Sequence, residues 1–327
     1  MEYPHYLRNL PGRRSKATAT VSALLKEKRI YMAEAEAPQA YRGALRLSPI
    51  RYLFPPLGSQ AATRFLAIAT LAAFATAELL TTYGSPIAGI ALHAVILTVL
   101  IAATSLTREP GPPATSAPMS RLLYSLTLVP LIRILSLSMP LARFDPVFWY
   151  LMAGLPVFMA ALVIMGPLGL RPGAIGLRLN WSPLQPLVIA LGFGLGIIEY
   201  QILRPEPLIG ELTLARFILP ALILLVATGF LEEFLFRGIL QTTASEALGG
   251  AAVIYVSVVF AILHIGYRSA TDVLFVLGIA LIYGWVVRRT GSIMGVSMSH
   301  SITNIMLFLV VPFVPALSLR PDWLMLP

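Results

Sequence analysis

The feature that most constrains this chain is a succession of apolar runs, each roughly twenty residues long. That is the length a helix needs to cross the ~30 Å hydrocarbon core of a bilayer. The runs fall near 64–83, 87–106, 121–142, 147–167, 184–203, 215–245, 250–266, 271–288 and 291–314. With 57% hydrophobic and 12% charged residues, the 327-residue chain has too little polar surface for a water-soluble fold. A backbone in lipid must satisfy its own hydrogen bonds, so helices are expected throughout. The expected fold class is all-α, a polytopic integral membrane helix bundle of about nine transmembrane helices. Pro130, Pro140 and Pro156 mark places where a span is expected to kink or end.

Charge suggests an orientation. Residues 1–51 hold ten Lys/Arg against four Asp/Glu, which accounts for most of the net +9. By the positive-inside rule this is a cytoplasmic tail able to meet anionic headgroups. An internal N-terminus also places Arg108 and Arg121, Arg171 and Arg178, and Arg288 and Arg289 on the cytoplasmic side. The opposite gaps carry Arg143 beside Asp145, and Arg204 facing Glu206 and Glu211. No apolar run occurs in the first 50 residues, so no cleavable signal peptide is expected. No aromatic residues interleave with the basic ones, so nucleic acid is not an expected partner. There are no cysteines, which removes thiolate nucleophiles and Cys-ligated metals. The segments 107–118 and 170–183 read as loops, and "GFGLG" at 192–196 as small residues suited to close helix packing.

The segment "ALILLVATGFLEEFLFRGILQ", residues 221–241, sets Glu232, Glu233 and Arg237 inside an apolar run. Each ionisable side chain near the bilayer centre costs at least ~2.5–3.5 kcal/mol on insertion scales. Helical spacing sorts them. Glu233 and Arg237 are four residues apart and share a face, so they can form an ion pair. Glu232 is turned ~100° away, with Phe236 below it and no basic partner on its face. An unpaired carboxylate of this kind is suited to general-base use. Two of the four histidines lie in the last third of the chain, inside apolar runs, His264 in "VVFAILHIG" and His300 in "VSMSHSITNIML". Phe260 lies one helical turn before His264, and Asn304 one turn after His300. At ~1.5 Å per residue, Glu232, His264 and Asn304 each sit ~20 Å into their spans, and His300 about one turn shallower. The other membrane-depth charges, Glu78, Arg133 and Glu199, are expected to pair structurally or to snorkel.

These residues carry a resemblance. "EEFLFR" is EExxxR, "FAILH" is FxxxH and "HSITN" is HxxxN, in that order. The pattern resembles the CPBP group of intramembrane proteases, which includes CAAX prenyl endopeptidases and bacterial relatives linked to bacteriocin processing or immunity. The resemblance covers about residues 215–310. It implies an intramembrane endopeptidase that cleaves a membrane-associated or sorting-signal protein. Glu232 would activate a water, helped by His264, while His300 and Asn304 stabilise the oxyanion. Glu233, Arg237 and Phe260 would support the site. It also implies a peptide or protein substrate, contact with membrane lipids, and a bacterial-type inner (plasma) membrane location. The chain would then divide into a basic cytoplasmic tail 1–60, N-terminal transmembrane helices 61–210, a catalytic helix core 211–315 and a short tail 316–327. Two histidines and a glutamate could in principle bind zinc. The lack of an HExxH motif and the asparagine at the fourth position favour a glutamate-type site with no cofactor.

Other chemistries fit less well. Aspartyl catalysis needs paired membrane aspartates, whereas Asp145, Asp272 and Asp322 stand at loops or ends. A serine type could recruit Ser297 or Ser299 near His300, although membrane serines commonly bond their own backbone. A non-catalytic peptide-binding or immunity protein, a proton-coupled transporter, or a polar cluster that only holds helices together would use the same residues.

Overall fold

The computed structural model describes residues 60–106, 117–139 and 143–318. The basic tail, the loop at 107–116 and the C-terminal tail therefore lie outside the described residues. The described residues belong to one compact unit, Pro56–Pro327, and contain helices but no strand. Helices α1 (Gln60–Tyr83) and α2 (Pro86–Leu106) form an antiparallel hairpin, followed by α3 (Pro118–Leu126) and α4 (Leu128–Ser138). The break between α3 and α4 at Thr127 follows from Pro130. Its ring lacks an N–H and clashes with the carbonyl four residues back, that of Leu126. Helix α4 ends at Ser138, just before Pro140.

Asp145 starts α5 (Pro146–Leu168) by accepting a hydrogen bond from the Val147 N–H, with Pro146 in the first turn. Pro156 lies inside this helix, so the boundary expected there is not a helix end. Gly169 closes α5 in the left-handed conformation, at φ 62°.

Helix α6 (Leu184–Leu203) is followed by α7 (Leu214–Leu224), which runs on through a π-helical segment (Leu225–Phe230), a single α-turn (Leu231–Glu233), a second π-helical segment (Phe234–Leu240) and α8 (Gln241–Leu248). After Gly249–Ala251 come α9 (Ala252–Leu263), the 3₁₀ turn His264–Tyr267, α10 (Ala270–Thr290) and α11 (Met294–Ile305).

Among the described residues, eight helical runs are long and apolar enough to cross a membrane. One of them, Leu214–Tyr267, is 54 residues long, about 80 Å if straight. It is not straight. The rings of Phe236 and Phe260 are 4.8 Å apart, which requires the chain to double back. The reversal falls at Gly249, whose φ of 55° suits glycine. The run thus supplies two antiparallel passes, consistent with the bundle of about nine expected. Isoleucine and valine side chains such as Ile68, Ile87, Val99 and Val163 face outward, the apolar surface of an integral membrane protein.

The segment 170–183 is more than a plain connection. Its Gly176 carbonyl accepts from the Ile293 N–H at 3.0 Å. Arg178 donates to the Gly291 carbonyl at 2.7 Å, and Asn180 donates to that of Thr290. These bonds fix the turn between α10 and α11. At the same end of the bundle, Arg121 pairs with Glu246 at 2.6 Å and reaches the Leu168 carbonyl. Arg288 lies over the Gly250 carbonyl. Arg121, Arg178 and Arg288, three of the arginines assigned to one side of the membrane by charge, thus lie at one end of the fold.

Candidate active site

Three segments meet with almost no side chain between them. A Cβ on Gly192 would collide with the Ser299 carbonyl, and one on Gly196 would lie 2.6 Å from that of Thr303. One on Gly229 would lie 2.5 Å from the Ser301 backbone nitrogen. Helix α6, the π-helical segment and α11 therefore approach backbone to backbone, as small residues permit in membranes. The "GFGLG" packing expectation is met, and this packing carries the polar side chains to one place.

That place is a cavity of about 60 Å³ lined by Glu199, Thr228, Glu232, Glu233, Phe260, His264, His300 and Asn304, among others. A larger cavity, about 330 Å³, adjoins it. Tyr150, Glu232, Phe260, His264 and Tyr267 line both. The larger one is walled mainly by Val157, Ala227, Leu231, Leu235, Phe236 and Leu263.

The two adjacent glutamates have different surroundings. Glu233 is fully buried, and its Oε1 accepts from Arg237 Nη1 and from His300 Nδ1, each at 2.9 Å. The Arg237 guanidinium lies 4.5 Å from the Phe260 ring centroid and 5.8 Å from that of Tyr283, an aromatic cage for a buried cation. Glu232 keeps 35% of its side chain exposed, and its Oε2 is 3.9 Å from His300 Nε2. The expected division, one paired carboxylate and one open, is present. The His300 bond to Glu233 is an addition that spacing within one helix could not reveal. Both glutamates lie between two π-helical segments, which shift helical phase and recur at functional sites.

The remaining polar groups are held by specific bonds. His264 donates its Nδ1–H to the Phe260 carbonyl at 2.9 Å, so its neutral tautomer carries the lone pair on Nε2. Asn304 donates to Thr228 Oγ1 at 2.9 Å, while the Thr228 hydroxyl donates to the Leu224 carbonyl. Phe260 packs against His264 at 4.8 Å and edge-on to His300 at 6.1 Å. All seven residues singled out from the sequence meet here. Ser299 accepts from the Tyr283 hydroxyl at 2.7 Å, and neither it nor Ser297 lines either cavity.

Among the described residues, no three His, Asp or Glu side chains are grouped so as to hold a metal ion.

Two of the three other membrane-depth charges pair as expected. Arg133 binds Glu78 at 2.6 Å, and His93 lies 3.2 Å from the same carboxylate. Glu199 departs from the expectation. It is buried, lines the smaller cavity, and has no hydrogen bond or ion pair among the described residues. Residues 192, 196 and 199 fall on one helical face, so the spacing from the packing glycines was a signal for its placement. Tyr150, Thr228 and Tyr267 also line the site. As ordinary residues of apolar segments they carried no such signal.

Residues 214–306 match the family model described as type II CAAX prenyl endopeptidase Rce1-like. The match covers less than a third of the chain and makes that segment similar to the family. The match begins at the first residue of α7 and holds Glu232, Glu233, Arg237, Phe260, His264, His300 and Asn304. It agrees with the CPBP resemblance of the three motifs. Glu199 and the walls contributed by α4 and α5 lie outside the matched segment. No curated protein and no solved structure matches the chain.

Proposed function

We propose that the chain is a glutamate-type intramembrane endopeptidase that hydrolyses a peptide bond of a membrane-associated or sorting-signal protein. The observation that carries this reading is the contrast between the two glutamates. Glu233 is consumed by Arg237 and His300, while Glu232 stands open on the wall shared by two cavities. The Rce1-like match supports the same reading.

In this mechanism a water beside Glu232 gives it a proton as the water oxygen attacks the peptide carbonyl carbon. The 3.9 Å separation of Glu232 and His300 is too long for a direct hydrogen bond and suits a bridging water. His264 Nε2 offers a second acceptor beside Glu232. The carbonyl oxygen becomes an oxyanion facing the Asn304 amide. One Asn304 N–H is fixed on Thr228, which sets the direction of the other. In its imidazolium form, His300 keeps Nδ1–H on Glu233 and adds an Nε2–H donor on the Glu232 side. Such donors act strongly in a water-poor cavity. Collapse of the intermediate breaks the C–N bond, and the proton held by Glu232 passes to the leaving amine.

The test compares the membrane proteome of cells carrying the native chain or Glu232→Ala, alongside the amount of folded protein. The expected result is full accumulation of the variant with cleavage products absent. Identical products in both would refute the assignment.

A further inference from the structure

Glu199 is a buried carboxylate that the proposed hydrolysis does not use. It is only 8% exposed, it lines the smaller cavity, and no donor reaches it among the described residues. It shares that cavity with the carboxylates of Glu232 and Glu233 and the imidazole of His300. Asp272, at the start of α10, is itself completely buried, and neither of its carboxylate oxygens has a hydrogen-bond partner. The buried cation beside Glu233, Arg237, is committed to that carboxylate. The fold thus presents an unneutralised acidic pocket at membrane depth, where an unpaired carboxylate is costly and marks a binding or transport pathway.

We infer that the smaller cavity receives a cationic side chain of the substrate, lysine or arginine, beside the scissile bond, with Glu199 as its counter-charge. This rests on the protease reading above. The geometry also assigns the opposite side of the bond. Glu232 stands where the cavities join, so a peptide crossing it places one residue against Glu199 and its neighbour among Val157, Leu231, Leu235 and Phe236. Arg133, the one cation on that apolar wall, is held by Glu78. The preferred sequence therefore joins an apolar residue to a basic one. Carboxylate recognition fits a guanidinium or an ammonium, and rejects an isostere that lacks the charge.

Two measurements separate this inference from the activity it rests on. In the first, the full chain carrying Glu232→Ala is purified and its melting temperature read with n-butylguanidinium, n-butylamine or 1-pentanol. The two cations should raise the melting temperature and the alcohol should not. Adding Glu199→Gln should remove the rise. Equal responses to cations and alcohol, or an unchanged rise without Glu199, would overturn the inference. The comparison of probes on the Glu232→Ala protein stands even if the double variant folds poorly. In the second, lipid-anchored peptides in liposomes carry leucine next to lysine, arginine, glutamine or norleucine. The native chain should cut the basic peptides about tenfold faster or more, a preference Glu199→Gln should erase. Cutting without that preference overturns the inference and leaves the protease intact. Cation binding through Glu199 with no peptide cut supports the pocket and removes the protease.

Discussion

His300 is tied across the bundle to Glu233, its Nδ1–H directed at the same carboxylate oxygen that accepts from Arg237. One buried carboxylate therefore neutralises a cation on its own helix and orients an imidazole on another. Glu233→Ala should leave the buried Arg237 without a counter-ion, a loss of about 3–5 kcal/mol. Folded yield, read by size-exclusion chromatography in detergent, should fall sharply. Replacing both ends, Glu233→Leu with Arg237→Met, should restore much of the yield, because no charge is then stranded. Activity should stay lost, since His300 has no anchor. Recovery of both would reduce Glu233 to a structural role.

Asn304 is predicted to act on the transition state and not on folding. Among the described residues its amide bonds only Thr228, at 2.9 Å, and Asn304 lines the smaller cavity. Asn304→Ala should lower kcat by about 10²–10³ with KM and melting temperature little changed, the usual consequence of deleting one oxyanion donor. Thr228→Val should give a smaller loss of the same kind, because it frees the amide to rotate without removing it. A change confined to KM would place Asn304 in substrate binding instead.

Much of this site was legible because helical geometry is local. The Glu233–Arg237 pair needs only a four-residue spacing, and the matching depths of Glu232, His264 and Asn304 need only the rise per residue. The pairing of His300 with Glu233 was not legible, because it depends on how α11 is rotated against another helix. Glu199 was missed for a related reason. The only signal for this lone glutamate is its spacing from Gly192 and Gly196, and that spacing points to the site only once those glycines are known to pack against α11. The reversal inside the 54-residue run was legible, because the apolar stretches 215–245 and 250–266 are separated there. Gly249, followed by Gly250, permits that turn, and the contact of Phe236 with Phe260 shows the two passes lying side by side.

Metal dependence is open to direct measurement. A glutamate-type site should hold less than stoichiometric zinc after purification, and chelators should leave cleavage intact. Inactivation by a chelator, reversed by zinc and by no other divalent cation, would overturn the metal-free mechanism.

The close approach of α6, the π-helical segment and α11 predicts a contrast between glycines of similar appearance. A Cβ on Gly192 or Gly229 meets backbone atoms of Ser299 or Ser301, which cannot rotate away, whereas one on Gly194 meets nothing within 4 Å. Gly192→Ala and Gly229→Ala should each push α11 outward, lowering stability by roughly 1–3 kcal/mol as overpacked interiors do. They should lower cleavage further than stability alone explains, because His300 and Asn304 ride on the displaced helix. Gly194→Ala should be neutral or slightly stabilising, since alanine is the better helix former by about 1 kcal/mol. Melting temperatures and cleavage rates of the three variants check this together. If Gly229→Ala leaves both unchanged, the tight packing that brings Glu232 beside His300 is not what positions the site.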